Sequence, residues 1–152
     1  MRIVNKVLDI LNGMLPPENP EQGVEYINTV IYDSGFSANL RIDRKNGPYA
    51  IFYLLSNWEI DLSNTTSVKE EADIQVFFCD KANLDAKGED KDIIIARMET
   101  LARTFIGEIL SDRTIEITDN KVKMFSSYGN FDKFVVGVSV NFKLKARQAE
   151  CL

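Results

Sequence analysis

The stretch over residues 72–110 constrains this chain more than any other, because the period of its apolar residues changes part-way along. Ala72, Ile74, Val76 and Phe78 alternate with Asp73, Gln75, Phe77 and Cys79. Alternation at period two marks a strand with one buried face. A polar segment over residues 80–89 follows, with Gly88 near its end. Then the period lengthens. Ile94, Met98, Leu101, Phe105 and Ile109 fall on one helical stripe, which Ile95, Ala102, Ile106 and Leu110 widen. Arg97, Glu99, Thr100, Arg103, Thr104 and Glu108 lie on the other side, with Glu99 and Arg103 in the favourable i, i+4 order. Asp90 is placed to cap the helix and Asp92 to sit in its first turn. At 1.5 Å per residue the helix is about 30 Å long. A stripe that wide has to lie on an apolar surface, and the neighbouring strands are the available one.

The flanks supply those strands. Val4, Val7, Leu8 and Leu11 predict a first helix over residues 2–14, stopped by Pro16 and Pro17. Residues 16–23 read as an exposed loop. Residues 24–33 fit either period, and their β-branched and aromatic content favours a strand. A second strand is expected over 36–43. Asn46-Gly47 is a hairpin signal. Residues 49–55 form a nearly continuous apolar run, as in a central strand covered on both faces, and Trp58, Ile60 and Leu62 continue at period two. Residues 63–71 are polar and read as a loop or an extended edge. After the long helix, 114–118 alternates, Asp119-Asn120 makes a turn, and Val122, Met124 and Phe125 return. Residues 126–130 read as a loop. In the last strand Val136, Val138, Val140, Phe142 and Leu144 share one face, and Val135, Gly137, Ser139, Asn141 and Lys143 the other. Short turns imply antiparallel pairing. The expected fold is α+β: an antiparallel sheet with an N-terminal helix and one long amphipathic helix packed on it, in a single domain over 1–146 with a flexible tail over 147–152.

Composition narrows function mainly by exclusion. The chain of 152 residues has no histidine, which removes the commonest general base and zinc ligand. Cys79 and Cys151 give neither a disulfide framework nor a metal-ligand spacing. A net charge of −5 argues against a surface for duplex nucleic acid. The start of the chain has no signal-peptide pattern, and no run of residues is apolar enough to span a membrane. The acids Asp80, Asp85, Glu89, Asp90 and Asp92 suggest a calcium or magnesium loop. Counted from Asp80, however, the third position is Ala82 and the sixth is Asp85, where a calcium loop needs an acid and a glycine. Glu70, Glu71 and Asp73 could serve as catalytic carboxylates, but like charges beside an edge strand also discourage aggregation. No catalytic residue, cofactor or metal ligand is therefore expected. Lys143, Lys145 and Arg147 form a basic run in an acidic chain: a solvated outer face, or a patch that meets an acidic partner. Gly107 interrupts the polar side of the long helix, where close approach of another chain is one explanation and drift another.

The order of elements resembles the tail-terminator, or tail-completion, proteins and small neck ring proteins of tailed bacteriophages. The nearest likeness is to versions from phages and prophages of gut Bacteroidetes, crAss-like phages among them. The strand over 72–78, the helix containing Met98-Glu-Thr-Leu-Ala, and the ending that runs from Tyr128-Gly-Asn-Phe to Val140-Asn-Phe carry the likeness, which spans most of the chain as a pattern. It implies a virion structural protein, assembled in the host cytoplasm and located at the head–tail junction. There it forms a homo-oligomeric ring with copies of itself and contacts portal, connector and tail proteins, leaving a channel for DNA. It implies no active site. The alternative is a non-viral α+β binding module without catalysis.

Overall fold

A computed structural model of the chain describes residues 2–32, 45–64, 68–82, 88–130 and 135–147. The α+β expectation holds. Helix α1 spans Arg2–Asn12, and the strands β1, β2 and β3 span Thr29–Tyr32, Tyr49–Asp61 and Lys69–Lys81. Helix α2 spans Gly88–Ser111, and the strands β4, β5 and β6 span Ile115–Ile117, Lys123–Asn130 and Val135–Arg147. Among the described residues the sheet has six strands in the order β1-β2-β3-β6-β4, with β5 also on β6. The two 13-residue strands β3 and β6 pair antiparallel without interruption from Lys69↔Arg147 to Lys81↔Val135. They are the spine of the molecule.

One face of this sheet takes both helices. Ala50 and Phe52 of β2, Ala72, Ile74, Val76 and Phe78 of β3, and Val138, Val140, Phe142, Leu144 and Ala146 of β6 meet α1 through Ile3, Val4, Val7 and Leu11. They meet α2 through Met98, Leu101, Ala102, Phe105 and Ile109. Each large side chain buried in this way contributes about 1.5–3 kcal/mol. The helical stripe holds as predicted along its middle and narrows at its end, where Leu110 is 70% exposed. On the opposite face a second, smaller cluster gathers Ile31, Tyr49, Ile51, Phe77, Cys79 and Val135. Burial pushes the Cys79 thiol far above the usual thiol range, with the charge of Asp80 adding to the effect, so this sulfur is an inert core atom.

Several expectations need correction. Helix α1 ends at Asn12, where Gly13 donates its N–H to the Asp9 carbonyl at 3.0 Å, two residues short of the predicted end. Among the described residues of 24–33, only Thr29–Tyr32 is strand, and it runs parallel to β2, against the antiparallel rule drawn from short turns. The predicted strand over 36–43 lies outside the described residues. The Asn46 and Gly47 carbonyls accept hydrogen bonds from the side chains of Thr29 (2.8 Å) and Asn28 (2.7 Å), and the Gly47–Pro48 peptide is cis. The run over 49–55 does continue through Trp58 and Ile60 in one strand, β2, which ends at Asp61, before Leu62. Helix α2 begins at Gly88, so Asp90 sits in its first turn and is not its cap. Asp119 and Asn120 do form a turn, with φ of 63° and 51°, but β4 and β5 do not pair with each other. Both line the same edge of β6, as one strand broken by that turn. Residues 126–130, read as a loop, belong to β5, and Arg147, placed in the tail, is the last residue of β6.

The largest correction concerns residues 69–71. Read as a polar loop or edge, they open β3, an interior strand between β2 and β6. Glu70 is 2% exposed, and its Oε1 accepts the Ile3 N–H at 3.0 Å. The first N–H groups of a helix have no partner within it, and the helix dipole favours an anion there. Helix α1 has no acid of its own in its first turn, so β3 supplies one across 67 residues. Glu70→Ala is expected to lower stability by about 1–3 kcal/mol. Glu70→Gln should lose less, because its amide oxygen still accepts the bond. Shifts in urea midpoints check both, and an Ala variant as stable as the parent contradicts the capping role.

Candidate interaction surfaces

The residues singled out from sequence do not form one site. Lys143 and Lys145 project from β6 on the face turned away from the helices. There they diverge. Lys145 Nζ lies 2.8 Å from Glu71 of β3 and 3.5 Å from Asp61 of β2. The hydrogen bond to Glu71 is the main reason that its ammonium holds its proton above the usual lysine range, with Asp61 adding to it. The Asp61 carboxyl in turn sits below its usual range, chiefly because Ser63 donates to it. Lys145 is therefore committed within its own chain. Lys143, two residues back, forms no ion pair among the described residues.

Lys143 instead borders an open hollow of about 420 Å³. The strand β6 provides Asn141, Phe142 and Lys143, and β3 provides Asp73. The break between β4 and β5 provides Thr118, Asp119, Lys121 and Lys123. The register explains the meeting: Lys123 pairs with Asn141 and Ile117 with Leu144, so residues 118–122 of the edge face only Phe142 and Lys143. The surplus backbone arches out as the turn Thr118–Asn120 and brings its side chains over the β6 face. The Thr118 hydroxyl oxygen is buried there and has no hydrogen-bond partner. Lys121 and Lys123 were not singled out from sequence. Their spacing of two residues was the available signal, and only the register joins them to Lys143.

Arg147 closes β6 opposite Lys69. Gly107 belongs to the other layer, on the exposed side of α2, remote from the lysines. A Cβ built on it meets nothing within 4 Å. Gly107→Ala is therefore expected to stabilise the folded chain by about 0.5–1 kcal/mol. A calorimetric melting temperature about 1–4 °C higher checks this; no rise means that the glycine is needed for some other contact.

The acidic residues near the start of α2 are dispersed. Asp80 is the next-to-last residue of β3, where its Oδ1 accepts the Lys81 N–H at 2.9 Å and its Oδ2 lies 3.6 Å from Arg97. Arg97 also holds Glu25 at 2.9 Å, which fastens the segment before β1 to α2 and raises the guanidinium pKa further, mainly through the Glu25 hydrogen bond. Asp92 accepts the Tyr128 hydroxyl at 2.9 Å, linking α2 to β5. Asp85 lies outside the described residues. Among the described residues, no three metal-ligating side chains come together, and no helix is long and apolar enough to cross a membrane.

The outer edge of β5 is paired on one side only among the described residues. It exposes large apolar side chains: Met124 at 37%, Phe125 at 52% and Tyr128 at 47%. Compared with known proteins, the chain matches no family model and no curated protein. A second hollow, of about 410 Å³, lies between α1, the segment before β1 and α2. Lys6 bridges it to Asp112 at 3.3 Å, and Asp9 and Glu108 line its rim. Two bonds from Thr114, ahead of the Lys6 contact, hold the Asp112 carboxyl below its usual range.

Proposed function

We propose that this chain is a structural building block that assembles with copies of itself into a ring, as the neck and tail-terminator proteins of tailed phages do at the head–tail junction. The alternative is an α+β binding module that works as a single copy. What carries the ring reading is the β5 edge. A strand of eight residues, open on one side among the described residues, presents a row of backbone donors and acceptors to another chain. Phe125 and Met124 beside it offer apolar area that a monomer gains nothing by exposing. A head-to-tail contact through such an edge closes into a ring when the rotation between copies divides a full turn. The stiff core of paired β3 and β6 suits a part that must hold its shape in an assembly.

Size-exclusion chromatography with light scattering tests the proposal. A discrete oligomer is expected, and Phe125→Asp should shift it to monomer while the fold is kept, because Phe125 is half exposed. A chain that remains monomeric at its solubility limit favours the single-copy module.

A further inference from the structure

We infer that the hollow beside the turn Thr118–Asn120 is an oxyanion site that takes a phosphoryl group. The inference stands whether or not the chain forms rings. Three ammonium groups, Lys121, Lys123 and Lys143, line one hollow in a chain of net charge −5. Two other cations on this surface are taken up: Lys145 by Glu71 and Asp61, and Lys69 by Glu116 at 3.8 Å. The three in the hollow make no ion pair among the described residues. Like charges gathered without partners repel one another, and an anion between them reverses the sign of that interaction. Two carboxylates share the lining. Asp73 stands opposite Lys143 in the ladder and has an interaction of its own, and with Asp119 it leaves the lining one positive charge in excess.

The neutral groups point the same way. The Thr118 hydroxyl is buried with no partner, although a buried polar atom in a folded protein is nearly always satisfied. The Asn141 amide lines the same space. The backbone is also specialised. Asp119 and Asn120 both adopt the left-handed conformation, at φ 63° and 51°, which non-glycine residues seldom take in succession. Runs of backbone N–H groups in such turns form concavities suited to anions. Three ammonium groups, a hydroxyl and an amide exceed what the two oxygens of a carboxylate can accept. A phosphoryl group offers three terminal oxygens and more charge. A nucleic-acid phosphodiester has two free oxygens and one charge, no more than a carboxylate, so the hollow fits a terminal phosphate or diphosphate and the oligonucleotide serves as the contrast.

Titration calorimetry of the full chain with pyrophosphate and with a short oligothymidylate, each against sodium chloride at equal ionic strength, tests this. Saturable binding of pyrophosphate is expected. Lys143→Gln and Lys123→Gln should each weaken it about tenfold or more, since each removes a charged hydrogen bond to the anion. Thr118→Val should weaken it less. Lys45→Gln, which removes an equal charge from an exposed position elsewhere, should leave it unchanged. Pyrophosphate binding tighter than the oligonucleotide supports a terminal phosphate as the ligand; binding of the oligonucleotide alone overturns the inference. No saturable heat with either probe overturns the inference. So does an equal loss in Lys45→Gln, or binding of polyglutamate in place of both.

Discussion

Replacing Phe105 with alanine should cost about 3–5 kcal/mol, the range for deleting a buried aromatic ring. Phe105 is fully buried on α2. Its ring centre lies 5.6 Å from Phe78 of β3 and 6.0 Å from Phe142 of β6, with both ring pairs tilted. The residue thus ties the long helix to both central strands at once, and the rings gain a little beyond their buried area from that geometry. A domain of this kind has a total stability of about 5–15 kcal/mol, so the variant should approach global unfolding. Phe105→Leu keeps most of the volume and should cost about 1.5 kcal/mol or less. Urea midpoints at unchanged m-value separate the two. An alanine variant that loses less than about 1 kcal/mol means that α2 is not seated on the sheet as described.

Gly137→Ala should be as damaging for the opposite reason. Gly137 sits in β6 directly across from Cys79. An added Cβ overlaps the Phe78 carbonyl oxygen and comes within 2.7 Å of Cys79 Cα and 2.8 Å of its Cβ. Two of these three atoms belong to the backbone of the neighbouring strand. They cannot yield unless the pairs on either side, Phe78↔Val138 and Asp80↔Val136, open. The expected loss is about 3 kcal/mol or more, at the upper end for overpacking. Because the clash is with backbone, Cys79→Ala in the same chain should not restore the melting temperature. A single variant that melts with the parent would falsify the close approach of β3 and β6 at this point.

The sheet's centre was legible where local pattern and burial agree. The alternation of β6 and the stripe of α2 both come from side chains whose burial repeats with the backbone period. It was not legible where a distant partner satisfies a polar residue. Glu70 and Glu71 look like surface acids, and nothing near them in sequence reveals that Ile3 and Lys145 receive them. The turn at Asp119-Asn120 was read correctly as a turn. A hairpin and a broken edge strand share that local geometry and differ only in which strand pairs with what. The same limit governs the candidate surfaces. The shared face of Lys143 and Lys145 follows from spacing. The pairing of one and the freedom of the other depend on β2 and β3, and the meeting of Lys121, Lys123 and Lys143 depends on register. Gly107 stands on the opposite layer because the helix, and not the sheet, carries it.

The strand β6 is last in the chain yet joins β3 to the pair formed by β4 and β5. Among the described residues both helices and the strands β1 to β5 precede it, so they must gather before the strand that joins them is made. Ile74, Val76 and Phe78 must wait for residues some sixty positions downstream, so the pairings that seal the interior span long loops and form slowly. Until β6 pairs, β3 and the strands β4 and β5 present open edges to proteases and to other copies, so a change that slows this pairing should lower the yield of folded protein.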